Sequence, residues 1–284
     1  MTVTSPTELP EWLRSLREET VLKPVRTDTR SDTSRRILLG VDQDVVFKDV
    51  IRGGQADFTK PWNGITPDER VLLYAYLNQQ GHLEELIYAF DKLFPGNTVP
   101  EDPIVIDIGC GPFTAGLAFA AIAQHPVSFD YIGVDRAESM MSLGETLASN
   151  SARHPNCRRT WVKDLNALAW LRPPGYRPVI IVMSYIFASP TISPSDLADQ
   201  LVNTLDRISH GSTVLIYTNS QYDRLNTNYP IFAGQLSRYL FTEHTHDKGV
   251  IHIKRSGGAR ARHLQYAVLY RHERKFLNLQ EQPR

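Results

Sequence analysis

Two kinds of apolar pattern divide the chain near residue 100. Before it, apolar residues recur at helical spacing; after it, they gather into short unbroken runs. In the first part Val71, Leu72, Ala75 and Tyr76 share one helical face, and Leu83, Leu86, Ile87 and Phe90 share another. Thr66, Pro67 and Glu69 mark where the first of these helices starts. A threonine cap accepts an amide of the first turn, a glutamate three residues on returns the bond, and proline suits the first helical position. Gly81 separates it from the second helix, at about 82–93, which Pro95, Gly96 and Asn97 end. An earlier helix is expected from Pro10 and Glu11. In the second part, 104–108 and 178–183 are apolar on both alternating faces, as strands in the middle of a parallel sheet are. Shorter runs at 131–135, 159–162 and 213–218 read as further strands. Helical stretches at 117–123, 137–149, 195–208 and 229–240 alternate with them. Residues 250–254 and 264–271, around a Ser-Gly-Gly turn at 256–258, read as a closing hairpin. Alternation of this kind predicts an α/β fold.

The bulk numbers narrow the picture. A length of 284 residues suits one large domain, or a domain with an appended segment. Residues 1–100 read as an N-terminal helical cap or lid and 101–284 as the sheet domain. Thirty-one basic residues balance 31 acidic ones, which excludes a globally basic nucleic-acid binder but not a local patch. Cys110 and Cys157 are the two cysteines, too few for a disulfide framework, and they fit a reducing, cytoplasmic setting. The N-terminus has no apolar signal core, and no run is long enough to cross a bilayer.

The chemistry centres on the end of the 104–108 run. Gly109 and Gly111 allow a tight turn into the next helix and let a ligand approach where a Cβ would block it. Asp107 ends the strand with a carboxylate, which would repel a phosphate and suits a cationic or donor-rich ligand. Asp135 ends the next strand, where an acid that holds ribose hydroxyls belongs. A nicotinamide fingerprint would place its third glycine at Thr114, and Gly116 falls two positions late. Together, Asp107-x-Gly109-x-Gly111 and Gly133-Val134-Asp135-Arg136 resemble motifs I and II of the class I S-adenosylmethionine-dependent methyltransferases. The resemblance runs from about residue 104 to residue 218.

That resemblance implies a three-layer sandwich. Its seven-stranded, mostly parallel sheet carries a C-terminal antiparallel hairpin, and an N-terminal helical cap lies over it. It implies S-adenosyl-L-methionine as cofactor, with Asp107, Gly109, Cys110, Gly111, Asp135, Arg136, Asp164, Leu165 and Ser184 at its site. The glycine loop would meet the methionine part and Asp135 the ribose. Asp164 and the Leu165 amide would meet the adenine edge, although Asp164 equally suits a cap on the short helix that follows. Tyr185, after the fourth strand, either orients a nucleophile, as the candidate catalytic group, or stacks on the substrate, or packs against the sulfonium end of the cofactor. Phe58 and Trp62, in a loop rich in glycine, read as a lid over the substrate or as the filling of a small satellite core. Asn219, after the fifth strand, is a candidate for the substrate side.

The expected reaction is methyl transfer to a small-molecule acceptor. The alternatives are an RNA or ribosome methyltransferase that uses the basic hairpin, or a non-catalytic cofactor-binding scaffold. That hairpin carries Lys254, Arg255, Arg260, Arg262, Arg271, Arg274 and Lys275. It reads either as a phosphate-tracking patch or as a solvated edge. Arg35 and Arg36 read as a solvated turn or, alternatively, as a contact for an acidic partner. His244 and His246 lack a third ligand, so no metal is expected. An Asn/Asp-Pro-Pro-Tyr/Phe motif and a cysteine nucleophile are both missing after the fourth strand, which argues against nucleobase amine and cytosine-C5 methylation. An acid that would activate an amine for aminopropyl transfer is missing there too.

Overall fold

The computed structural model describes residues 9–123, 128–151, 157–168, 175–189, 191–255 and 258–274; for residues 97, 252–255 and 258–260 it describes the backbone alone. Its sheet has seven strands: β1 (Ile104–Ile108), β2 (Asp130–Val134), β3 (Arg158–Val162), β4 (Val179–Ser184), β5 (Thr213–Ser220), β6 (Thr242–Arg255) and β7 (Gly258–Arg271). They lie in the order β3-β2-β1-β4-β5-β7-β6. The first five are mutually parallel, and β7 runs antiparallel between β5 and β6. The chain therefore builds outward from β1 to one side, then returns to place β4 on its other side. This reversal opens a crevice beyond the carboxyl ends of β1 and β4.

Both faces of the sheet are covered, which is why its strands are apolar throughout. One face of the strands presents Val105, Tyr131, Ile180, Val182 and Ile216. These meet α3 (Gln80–Leu93), α4 (Thr114–Ile122) and α5 (Glu138–Asn150) through Leu86, Phe90, Phe119 and Leu147. The other face presents Ile106, Ile132, Ile181 and Leu215 to α6 (Pro194–Ile208) and α7 (Tyr229–Ser237). A third cluster lies in the cap and includes Val46, Val50, Phe58, Ile65, Val71 and Leu73, closed by Ala137 and Met140 of the α5 region. The N-terminal segment, which includes α1 (Glu11–Arg17) as expected from Pro10 and Glu11, thus shares its packing with the sheet: Leu13 and Leu16 of α1 join the first cluster, α3 rests on the sheet, and α2 (Pro67–Tyr74) rests on the start of α5.

The expected start of α2 is present in full. Thr66 and Glu69 exchange a reciprocal capping box, and Pro67 occupies the first turn. The expected break at Gly81 is not. Helix α2 runs through a π-helical turn (Ala75–Gln79) directly into α3, and Gly81 lies inside the helix. A Cβ there would sit 2.0 Å from Nη1 of Arg262, so this glycine serves close approach and not chain termination. Helix α4 begins at Thr114, three residues earlier than the pattern suggests; the terminal hairpin starts earlier than expected, at Thr242, and its strands run closer to the turn, while it ends at Arg271 as expected.

Gly116 has a similar packing role. Phe113 takes a left-handed backbone, φ 61°, and turns its ring back onto α4. A Cβ on Gly116 would lie 2.2 Å from that ring. The ring also meets Tyr131 edge-on at 4.6 Å and Trp161 at 6.0 Å, so it has nowhere to retreat. Gly116→Ala is expected to lower stability by about 1–3 kcal/mol through overpacking, read as a shift in the urea midpoint without a change in slope.

Candidate functional site

The carboxyl ends of β1 and β2 hold the glycine turn. Amides of Gly109 and Cys110 donate to the Val134 carbonyl at 2.8 and 3.1 Å, which ties the turn to β2. Gly109 and Gly111 both have positive φ, 72° and 50°. Ile186, from the segment after β4, comes to 2.9 Å of where a Gly109 Cβ would stand. Asp135 follows β2 and is half-buried. Its Oδ2 accepts from the Gly111 amide at 3.1 Å and its Oδ1 from the Ala137 amide at 2.9 Å. Burial pushes its carboxyl above the ordinary range, and those two amides offset only part of the shift. Gly111 and Asp135, 24 residues apart, are thus joined directly. Arg136 beside them is exposed.

Asp107 points the other way. It is buried beneath the turn, where it accepts the Tyr131 hydroxyl at 2.7 Å and the Ala115 amide. Burial pushes its carboxyl up to about 7, against those two hydrogen bonds, with the Asp135 charge adding to the rise. It braces the turn from below and faces no open space. The Cys110 thiol is buried too, and burial and the charges of Asp107 and Asp135 push it well up. Cys110 and Cys157 are both free thiols.

Asp164 is exposed, and its Oδ1 accepts from the Asn166 and Ala167 amides at 2.8 and 3.2 Å, so it does cap the short helical turn that follows β3. Leu165 sends its side chain into the core on the α6 face. Ser184 ends β4 and accepts the Thr218 hydroxyl at 3.0 Å. Asn219 is fully buried: its amide nitrogen donates to the Tyr217 hydroxyl and the Leu225 carbonyl, both at 2.9 Å. The structure therefore corrects the substrate-side expectation for Asn219, because a side chain consumed by its own turn has no reach into a cleft.

A cleft of about 210 Å³ opens beside the glycine turn. Its walls include Gly53 and Gly54 of the loop before α2, Tyr74 of α2, His82 of α3, Tyr185 after β4 and Arg262 of β7. Tyr74 joins the two halves of the site, since it lies about 4.0 Å from a Gly111 Cβ position. Phe58 and Trp62 are not on these walls. Phe58 is buried in the cap core and meets Tyr74 edge-on at 5.5 Å, and Trp62 packs half-buried against the same cluster. Of the two readings of that loop, these aromatics fill the satellite core, and the adjacent glycines face the cleft. Arg70, itself buried, fixes the loop by donating to three backbone carbonyls: Val50 at 2.6 Å, Asp57 at 2.8 Å and Lys60 at 2.5 Å.

Behind three of these wall residues, His82, Tyr185 and Arg262, lies Glu85, whose side chain is 1% exposed. Arg262 reaches its Oε1 with Nε at 2.7 Å and Nη2 at 2.6 Å. The Tyr185 hydroxyl donates to the same oxygen at 3.0 Å, and His82 Nδ1 meets Oε2 at 3.1 Å. Burial alone would raise the Glu85 carboxyl. The His82 hydrogen bond, then Arg262 and Tyr185, outweigh it and hold the group below its ordinary value. Tyr185 has a left-handed backbone, φ 59°, which aims its ring at α3. Burial and the Glu85 charge push its phenol far above the ordinary range, so its proton stays committed to Glu85. Sequence reading named Tyr185 but not Tyr74, His82 or Glu85. Polar and aromatic residues recurring at helical spacing beside the apolar face of α2 and α3 were the signal available.

The basic hairpin is partly neutralised at home. Arg262 pairs with Glu85, and Arg271 and Arg274 both reach Asp206. The side chains of Lys254, Arg255 and Arg260, and all of Lys275, lie outside the described residues. Arg35 and Arg36 make exposed pairs with Asp32 and Asp44. Among the described residues no group of three or more His, Cys, Asp or Glu could hold a metal, and no helix is long and apolar enough to cross a membrane.

No family model and no curated protein matches the sequence. Solved structures resemble it distantly. A precorrin 8w decarboxylase from Methanobacterium thermoautotrophicum is 16% identical with a TM-score of 0.44, over 66% of this chain and 89% of that one. A SAM-dependent methyltransferase from Methanosarcina mazei is 14% identical, TM-score 0.42, over 63% and 96%. A precorrin-6y C5,15-methyltransferase from Geobacter metallireducens is 11% identical, TM-score 0.42, over 76% and 96%. The strand order and the antiparallel β7, not these distant likenesses, give the chain the class I methyltransferase fold.

Asp107 makes a prediction about pH. An acid whose folded pKa lies above its unfolded value binds its proton more tightly when folded, so stability falls as pH rises through the interval between the two. Asp135, shifted in the same direction, adds to this. Asp57 and Glu145, held near 2 mainly by their hydrogen-bond partners against burial, lose their contribution only at lower pH. The thermal midpoint is therefore expected to fall from about pH 5 to about pH 7. In Asp107→Asn the fall should be shallower, as scanning calorimetry across that interval would measure.

Proposed function

We propose that the protein transfers a methyl group from S-adenosylmethionine to a small-molecule acceptor. The observation that carries this reading is the direct link between Asp135 and the glycine turn, beside a cleft walled by the cap. The residues fit the cofactor on chemical grounds. Asp135 is half-buried, with one backbone amide on each oxygen, so each oxygen keeps acceptor capacity for a sugar hydroxyl. The glycine turn carries no basic side chain that would oppose a cation, and its positive-φ backbone leaves the approach clear of Cβ atoms. Asp164 makes both its capping bonds through one oxygen, which leaves the other for an adenine amino group. Ser184 and the Leu165 amide complete the set assigned to the cofactor.

When bound, that cofactor supplies a methyl group already activated by a sulfonium. What remains for the protein is to hold the acceptor in line and to exclude water. A cap loop pinned by Arg70 and a helix continuous from α2 to α3 give the cleft fixed walls. The cleft's small volume, and the internal pairing of three hairpin arginines, support a small acceptor over a polymer.

Asp135→Ala is expected to weaken S-adenosylmethionine binding by about 10- to 100-fold, the loss of one or two hydrogen bonds to a charged group. Isothermal calorimetry measures this directly, and unchanged affinity would remove Asp135 from the site.

A further inference from the structure

The cleft holds one titratable ring whose two nitrogens have different surroundings. His82 lines the cleft with its side chain 13% exposed. Its Nδ1 faces Glu85 Oε2 at 3.1 Å, and a carboxylate only accepts, so the network assigns the proton to Nδ1. Nε2 then carries a lone pair, and no described residue bonds to it. Building on the methyl-transfer reading, we infer that His82 is the general base that takes the proton from the hydroxyl of a small phenolic acceptor in this cleft, with Glu85, Tyr185 and Arg262 as positioning residues.

The division of labour on Glu85 supports the role. Arg262 and Tyr185 occupy Oε1, which leaves Oε2 to His82. Arg262 also balances the Glu85 charge. The groups facing His82 are then Tyr74 from α2, Glu85 from its own helix, Tyr185 after β4 and Arg262 from β7. Tyr74 stacks on the ring at 6.2 Å, and Tyr185 meets its edge at 4.5 Å. Phe47, 47% exposed, adds a further aromatic to the cleft lining. Aromatic walls of this kind suit a planar acceptor.

A free amine attacks through a lone pair it already has, whereas a hydroxyl is a poor nucleophile until its proton is drawn away. A dedicated base therefore points to oxygen as the acceptor atom. The acceptor oxygen forms a bond to the methyl carbon as the carbon–sulfur bond breaks, its electron pair staying on sulfur. The hydroxyl proton passes to Nε2 of His82 and then to solvent at the cleft mouth.

The probe is 4-nitrophenol, titrated into protein saturated with S-adenosylhomocysteine at a slightly acidic pH where the free probe is mostly protonated. In the wild type the bound probe is expected to show the visible nitrophenolate band. His82→Gln keeps a donor for Glu85 but cannot take a proton. It is expected to bind S-adenosylhomocysteine as the wild type does, to lose the band, and to hold the ionised probe about tenfold less tightly. Imidazole nitrogen NMR of the wild type is expected to show His82 protonated at Nδ1, a preference that Glu85→Gln removes. If that variant does not fold, the wild-type spectrum decides the tautomer. A proton on Nε2 overturns the inference; so does a probe that stays neutral, fails to bind, or ionises equally in His82→Gln. Loss of S-adenosylhomocysteine binding in His82→Gln overturns it too, by placing the histidine in the cofactor site. A wild type that takes no S-adenosylhomocysteine overturns the methyl-transfer reading itself, and the inference with it.

Discussion

A carboxylate buried as deeply as Glu85 has to be matched by positive charge and hydrogen-bond donors, or it will not stay ionised. In this protein the match comes from three separate parts of the chain. Arg262 lies 177 residues away in sequence, Tyr185 lies 100 away, and His82 is one helical turn back. Meeting that requirement fixes α3, the segment after β4 and strand β7 about one point. Removing one partner from a buried pair typically costs about 3–5 kcal/mol. Arg262 keeps 33% of its side chain exposed, which places this pair toward the lower end. Gly81 belongs to the same constraint, because only a residue without a Cβ lets the guanidinium lie against the helix.

A second guanidinium does comparable work with backbone instead of charge. Arg70 gathers the carbonyls of Val50, Asp57 and Lys60, and so turns an irregular glycine-rich loop into a wall. The Ser139 hydroxyl adds a bond from the start of α5 to the Phe58 carbonyl. The loop is thereby anchored both to α2 and to the helix that follows Asp135. Preorganised walls matter for a reaction in which the protein chiefly supplies orientation. Tyr74 is the contact through which cap, cleft and glycine turn share one surface.

The sheet topology decides where all of this can happen. Parallel strands end on the same side, and the reversal between β1 and β4 leaves a gap there that no crossover helix covers. Asp135 and the glycine turn stand on one side of the gap, and Tyr185 stands on the other. The antiparallel β7 runs beside β5, and this brings Arg262 near the same end of the sheet.

Local pattern was enough for much of the protein. The parallel core strands, the capped start of α2 and the glycine turn with Asp107 and Asp135 are all written in residues close together in sequence, since backbone sterics, side-chain period and capping act over a few positions. Direction was another matter. Asp107 and Asp135 both lie near the ends of neighbouring strands, yet one, inside β1, braces the turn from within and the other, just past β2, faces outward. Asn219 and Phe58 look like site residues and are consumed by the core; Arg262 looks like surface charge and is drawn inward. Glu85, His82 and Tyr74 sit among helix formers and stand out little. Whether a polar side chain ends in a cleft, in a core or in water depends on which distant partner can satisfy it. That partner is known only once the chain has closed on itself, because the cost of burying charge is settled between segments and not within them.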